Sequence, residues 1–198
     1  MLKLKKIAVT GGLSAGKTTV CQLFKELGAY VVSADAIVHQ LLSPGTALGQ
    51  QVINLLGSEI VNANELDRNK IAAKVFSEPD YLKALEEILH PAVFHEIERR
   101  YQEASREKKY PLFVAEIPLL YEAEGESHFD FIISVDAQEE LCKARFLHGQ
   151  HTDFEKRMKR QISPKTKKSL AHHTLENNGT LEQLKQSVKI LYTQLTQE

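Results

Sequence analysis

The sequence predicts an α/β fold, a three-layer α/β/α arrangement with a five-stranded parallel sheet in the middle. Three observations predict it. Short apolar runs alternate with longer amphipathic stretches along most of the chain. The runs are apolar almost throughout rather than at every second residue, as strands covered on both faces require. Cap and turn residues separate them from the helical stretches.

Residues 4–10 (LKKIAVT) read as the first strand. Residues 17–28 read as a helix with Val20, Phe24 and Leu27 on one face, ended by Gly28. Residues 30–33 (YVVS) form a second strand, 111–117 (PLFVAEI) a third, 130–135 (DFIISV) a fourth and 172–175 a fifth. Ser163-Pro164 places an N-cap before a proline at the first helical position. Thr152 with Glu155, and Thr180 with Gln183, have the spacing of a capping box, in which each side chain satisfies a free N–H of the other residue. The last helix lines up Leu181, Leu184, Val188, Leu191 and Leu195, a stripe that suits core packing.

Two stretches break the alternation. Residues 44–107 show several helical patterns and no clear strand, too much for one crossover, and predict an inserted helical lobe. Residues 147–162 carry Gly149, Arg157, Lys159 and Arg160 among polar neighbours and predict a short lid with a basic face. The expectation is one domain, with a core of residues 1–43, 108–146 and 163–198.

Bulk properties narrow the function. The chain has 198 residues, enough for a sizeable core, with 42% apolar and 26% charged residues. A net charge of −1 argues against a nucleic-acid or membrane-surface partner. No stretch approaches the ~18 apolar residues of a membrane span. No apolar leader follows Met-Leu-Lys-Leu-Lys-Lys, so a cytoplasmic protein is expected. Cys21 and Cys142 make neither a disulfide framework nor a zinc site and read as buried apolar residues. None of the eight histidines stands at a metal-ligand spacing.

The chemistry begins at Gly11-x-x-x-x-Gly16-Lys17-Thr18, the spacing of a Walker A loop, between a predicted strand and an amphipathic helix. Glycines let successive N–H groups turn toward one anion, and the helix N-terminus adds its own free N–H groups and dipole. Lys17 would reach the β- and γ-phosphates, and the Thr18 hydroxyl would ligate a Mg²⁺ bridging them. Gly12, Ser14, Ala15, Gly16, Lys17, Thr18 and Thr19 are the expected ATP contacts, with ATP as phosphoryl donor.

Beyond the loop the chain resembles the dephospho-CoA kinase family along almost its whole length. The resemblance is carried by Thr10-Gly11-Gly12, Gly16-Lys17-Thr18-Thr19-Val20, Leu27-Gly28-Ala29 and Ser33-Ala34-Asp35-Ala36. It continues through Leu66-Asp67-Arg68, Val75-Phe76, Leu89-His90-Pro91 and Pro118-Leu119-Leu120-Tyr121-Glu122. Arg145, Arg157, Gln161, Lys167 and Asn177-Asn178-Gly179 complete it. The family loop usually reads Gly-Ser-Gly-Lys, where this chain has Ser14-Ala15-Gly16-Lys17. Ser33 replaces the first aspartate of an Asp-Ala-Asp turn, Ala171-His172 replaces Ala-Asp, and Glu176 stands where aspartate is common.

The resemblance implies ATP-dependent phosphorylation of the ribose 3′-hydroxyl of dephospho-CoA, the last step of coenzyme A synthesis. It implies that Asp35 takes the proton of that hydroxyl, and capping of the following helix is the plainer reading of the same residue. Arg145 and Arg157 would stabilise charge on the transferring phosphoryl group, Arg157 from the lid, whereas a solvated basic helix face is their plainer reading. Asn177 would contact adenine or simply form a turn, and His90 would contact the acceptor or simply end a helix before Pro91. Glu116, at the end of the third strand, would reach Mg²⁺ through water. Glu122 reads as structural.

Other readings are a nucleoside monophosphate kinase or another small-molecule P-loop kinase, a GTP-driven switch, or a nucleic-acid ATPase. The switch lacks its guanine reader, since Asn69-Lys70 runs into Ile71-Ala72. Neutral charge and small size disfavour the nucleic-acid ATPase. A monomer or weak homo-oligomer acting on a small molecule is expected.

Overall fold

The computed structural model describes residues 3–62, 65–149, 154–159 and 161–197, with only the backbone of Pro79 and Lys156. Two compact units result: Met1–Ser33 with Arg100–Glu198, and Ala34–Arg99.

The first unit holds the sheet. Its strands are β1 (Lys5–Gly11) and β2 (Tyr30–Ser33), with the helix α1 (Lys17–Glu26) between them. The second unit interrupts with α2 (Ala34–Leu41), α3 (Ala47–Leu56), a 3-10 turn, β3 (Val61–Asn62), β4 (Glu65–Leu66), α4 (Arg68–Ser77) and the long α5 (Pro79–Glu107), which runs on into the first unit. There follow β5 (Leu112–Glu116), a second 3-10 turn, β6 (Phe131–Asp136), α6 (Glu139–His148), α7 (Phe154–Met158), α8 (Pro164–Leu170), β7 (His173–Glu176) and α9 (Leu181–Gln197). The sheet order is β2-β5-β1-β6-β7, with every pairing parallel.

Alternation along the strands builds two packed faces. Ile7, Val9, Leu112, Val114, Ile133 and Val135 join α1 and α9 in one core, where Phe24, Leu184, Val188, Leu191 and Leu195 are buried. On strand residues of opposite parity, Phe113 meets Tyr101 edge-on with ring centroids 5.4 Å apart, and Tyr101 donates its hydroxyl to the Leu4 carbonyl at 2.8 Å. Leu181 departs from the expected stripe. It is 54% exposed, because the first turn of α9 serves the cap: Thr180 N–H donates to Gln183 Oε1 at 2.8 Å and Gln183 N–H to Thr180 Oγ1 at 3.3 Å. The Ser163 hydroxyl oxygen likewise accepts the Thr166 N–H. Thr152, of the other expected capping box, lies outside the described residues.

The second unit has its own core of Val52, Leu56, Ile60, Leu66, Ile71, Val75 and Leu85. Thr46 caps α3 and Asp67 caps α4. Two expectations change here. The stretch expected to be without strands contains the β3–β4 hairpin, with Val61 opposite Leu66 and Asn62 opposite Glu65. His90 does not end a helix, because Pro91 sits inside α5. A proline there removes one backbone hydrogen bond, and the buried side chains on both sides of it, Leu85 before and Val93, Phe94 and Ile97 after, hold the helix together. The unit runs from 34 to 99, against the 44–107 expected for the lobe.

Candidate active site

The phosphate loop joins β1 to α1 at the carboxyl end of the central strand, where parallel sheets gather ligand sites. Gly16 stands before the first turn of α1 with φ 104° and no side-chain cap, so no side chain covers the helix start, where backbone N–H groups suit an anion. Lys17 is 8% exposed, and its ammonium donates to the carbonyls of Gly12 at 2.7 Å and Gly11 at 3.3 Å. Thr18 and Thr19 are exposed, Ala15 is buried, and Gly12 packs so closely under Pro164 that a Cβ would lie 3.3 Å from its ring. Ser14 holds φ 56°, in the left-handed region.

The Thr18 hydroxyl donates to Glu116 Oε1 at 2.6 Å. Glu116 closes β5, in register with Val9 of β1 and Ser33 of β2. A hydroxyl and a carboxylate oxygen at the mouth of the loop are the hard oxygen donors Mg²⁺ takes alongside phosphates and water. Among the described residues no three His, Cys, Asp or Glu side chains gather to hold a metal by themselves, so the residues fit a cation shared with a triphosphate rather than a closed protein cage. Burial pushes the Cys21 thiol well above its ordinary pKa; Glu116 adds to this and Lys17 opposes it. The thiol therefore stays protonated beneath the loop and is no nucleophile.

Arg145 projects from α6 and donates from Nη2 to the Asn177 carbonyl at 3.0 Å. Its Nη1 is buried with no hydrogen-bond partner among the described residues. Asn177 follows β7, is 8% exposed, and donates its amide N–H₂ to the Ala15 carbonyl at 2.8 Å. The side chain expected at adenine is thus turned onto the phosphate loop. Arg157 lies exposed on α7 with its guanidinium 5.6 Å from the centre of the Phe146 ring. Arg160 of the expected basic face lies outside the described residues.

Behind the loop, Lys167 of α8 is fully buried. Its ammonium pairs with Glu122 Oε1 at 2.8 Å and donates to the Pro118 carbonyl at 2.7 Å, a carbonyl that Thr10 also reaches at 3.3 Å. The Ile162 N–H donates to the same Glu122 oxygen at 2.9 Å. The structural reading of Glu122 gains a partner that the sequence did not disclose. A lysine in the polar run Lys165-Thr166-Lys167-Lys168 gives no sign of burial, and the only available signal was the carboxylate in an otherwise apolar segment.

Two predicted residues belong to the second unit. Asp35 is exposed in the first turn of α2, one place inside the helix rather than at its cap. His90 is half-buried in the interior of α5.

A protein-family model described as dephospho-CoA kinase matches residues 5–183. A dephospho-CoA kinase of Protochlamydia amoebophila is 50% identical over 199 residues, covering 98% of both chains. One of Chlamydia trachomatis is 48% identical, covering 96% of this chain and 95% of its own. A crystal structure of a Thermus thermophilus protein superposes with a TM-score of 0.82 at 30% identity, covering 98% of this chain and 99% of that one. The chain belongs to the dephospho-CoA kinase family.

Proposed function

We propose that Lys17, Thr18, Asp35, Arg145 and Arg157 carry the family reaction in this chain, ATP and dephospho-CoA giving ADP and coenzyme A, with Mg²⁺ at Thr18 and Glu116. Dephospho-CoA kinase activity itself, the final step of coenzyme A synthesis, follows from family membership. The observation that carries the residue assignment is the loop: a buried lysine, a helix N-terminus with no side-chain cap and a hydroxyl–carboxylate pair at one strand end.

In the reaction the ribose 3′-oxygen attacks the γ-phosphorus and the bond from it to the β,γ-bridging oxygen breaks. ADP leaves, and the hydroxyl proton passes to the Asp35 carboxylate. Lys17 leaves its carbonyl partners for the β- and γ-phosphate oxygens, a charge-assisted exchange that favours the bound state. Mg²⁺, when bound, supplies charge neutralisation across the same phosphates. The buried Nη1 of Arg145 offers a donor for charge that grows as the bond breaks. Arg157 supplies a second guanidinium from α7, a region whose closure would exclude water. His90 is assigned to the acceptor, and the protein to the cytoplasm as a monomer or weak homo-oligomer.

The test offers purified protein dephospho-CoA beside AMP, CMP and dTMP and follows ADP release. Turnover of dephospho-CoA alone is expected, and selective turnover of a nucleoside monophosphate would overturn the reading. Asp35→Asn should lose about 10²–10⁴-fold in kcat with ATP binding intact. Near-normal turnover would remove Asp35 from the base role.

A further inference from the structure

We infer that Asn177 is a positioning residue for phosphoryl transfer, bracing the phosphate loop, rather than a reader of the adenine base. The inference rests on the loop being a triphosphate cradle, and it assigns the residue just past the edge strand β7 to that cradle.

Three of the four polar groups on Asn177 bond to protein: the backbone N–H, the backbone carbonyl and the side-chain amide N–H₂. Its backbone N–H donates to the Asp136 carbonyl at 2.8 Å, extending the β6–β7 pairing by one step. Its carbonyl accepts from Arg145 Nη2 at 3.0 Å. Its side-chain amide donates to the Ala15 carbonyl at 2.8 Å, across 162 residues of sequence. One residue thereby joins the end of β6, the guanidinium of α6 and the middle of the loop.

The Ala15 contact has a directional consequence. A peptide unit is planar and trans, so its N–H points opposite to its C=O. Holding the Ala15 carbonyl on the Asn177 side aims the Gly16 N–H the other way, and that N–H belongs to the set a Walker loop turns onto phosphate. The fit is close. A Cβ at Gly16 would lie 2.3 Å from Asn177 Nδ2 and 3.5 Å from its Cγ, and Gly16 holds φ 104°. The glycine before the lysine is therefore required by Asn177 as well as by its own backbone. Ala15 is fully buried, so without the amide its carbonyl would lose its partner away from water.

A base reader and a loop brace differ in what they lose with the base removed. Titration calorimetry would compare MgATP with inorganic tripolyphosphate and Mg²⁺, on wild type and Asn177→Ala. That substitution keeps the main-chain carbonyl that Arg145 uses. Both ligands should weaken by a similar factor, roughly ten-fold, as expected for one buried acceptor left unpaired. Backbone hydrogen exchange at Gly16 should quicken in the ligand-free variant. Loss confined to ATP would overturn the inference in favour of base recognition, and unchanged affinity for both would reduce Asn177 to a turn residue. If Asn177→Ala does not fold, Asn177→Ser carries the same comparison. Lys17→Ala is the separate control on the cradle, since it should abolish binding of both ligands whatever Asn177 does.

Discussion

Glu122→Gln should destabilise the protein far more than its near-identical shape suggests. The substitution removes one negative charge beside Lys167, whose side chain is 0% exposed, from a carboxylate that is 16% exposed. The ammonium would keep the Pro118 carbonyl at 2.7 Å but lose the opposite charge of Glu122 at 2.8 Å. Breaking a buried pair by removing one partner costs about 3–5 kcal/mol, and the slight exposure of Glu122 places the expectation near 3 kcal/mol. At roughly 2–4 °C per kcal/mol for a chain of this size, Tm should fall by about 6–12 °C. Urea and thermal denaturation would measure it in wild type, Glu122→Gln, Lys167→Met and the double variant. The double variant should recover to within about 1 kcal/mol of wild type, because a neutral glutamine that can still accept the Ile162 N–H beside an apolar methionine leaves no buried charge to compensate. A loss below about 1 kcal/mol for Glu122→Gln, or a double variant equal to the sum of the singles, would refute the claim that the burial of charge dominates here.

Ser14→Gly should raise Tm by about 1–3 °C: the left-handed backbone costs a serine about 1–2 kcal/mol, partly offset by about 0.5–1 kcal/mol of extra chain entropy for glycine. A fall in Tm would mean that the Ser14 side chain contributes more than the strain it imposes. Glu116→Gln, which leaves Thr18 a hydrogen-bond acceptor but removes the charge, should raise the Mg²⁺ concentration for half-maximal rate by about 10–100-fold; an unchanged Mg²⁺ requirement would take Glu116 out of the cation's surroundings. At Asp130, burial pushes the carboxyl pKa up, but the Lys6 backbone N–H and the Lys3 ammonium outweigh it and hold it below the usual range. Its stabilisation is then complete above the ordinary carboxylate pKa and lost as pH falls through the depressed folded value. Asp130→Asn should flatten that acid limb in urea titrations between about pH 5 and pH 2, and an unaltered limb would count against it.

What was legible in the sequence follows from period and length. The strand at 30–33 lies where the apolar run places it, and the other four strands agree within about a residue at each end. Runs buried on both faces are written into composition, and glycine and cap residues mark their ends. The β3–β4 hairpin was not legible, since two-residue strands have no period to detect. Pro91 misled because a local rule, that proline ends helices, yields to burial on both sides of it. At the site, the loop was readable because its chemistry needs contiguous residues. The Lys167–Glu122 pair and the Asn177–Ala15 contact were not, because each joins residues remote in sequence that only the sheet order brings together.

The departure of the loop from its family pattern now has a physical reading. Three loop positions interest the backbone differently. At Gly11 a Cβ would lie 2.1 Å from the Val135 carbonyl oxygen, and at Gly16 2.3 Å from Asn177 Nδ2, so a side chain at Gly11 meets main chain and one at Gly16 would displace the Asn177 amide, each at a left-handed φ. Ser14 shares only the conformational demand: φ is 56°, yet the residue is half-buried and its side chain is accommodated. Left-handed backbone alone is a penalty of about 1–2 kcal/mol, which a domain can carry, whereas overlap with a main-chain carbonyl cannot be relieved without moving a central strand. The glycine this chain has lost is therefore the one whose loss leaves the cradle's shape intact. Gly11 and Gly16 remain because β6 and Asn177 press against them, and Asn177 thereby ties the spacing of the motif to the far end of the chain.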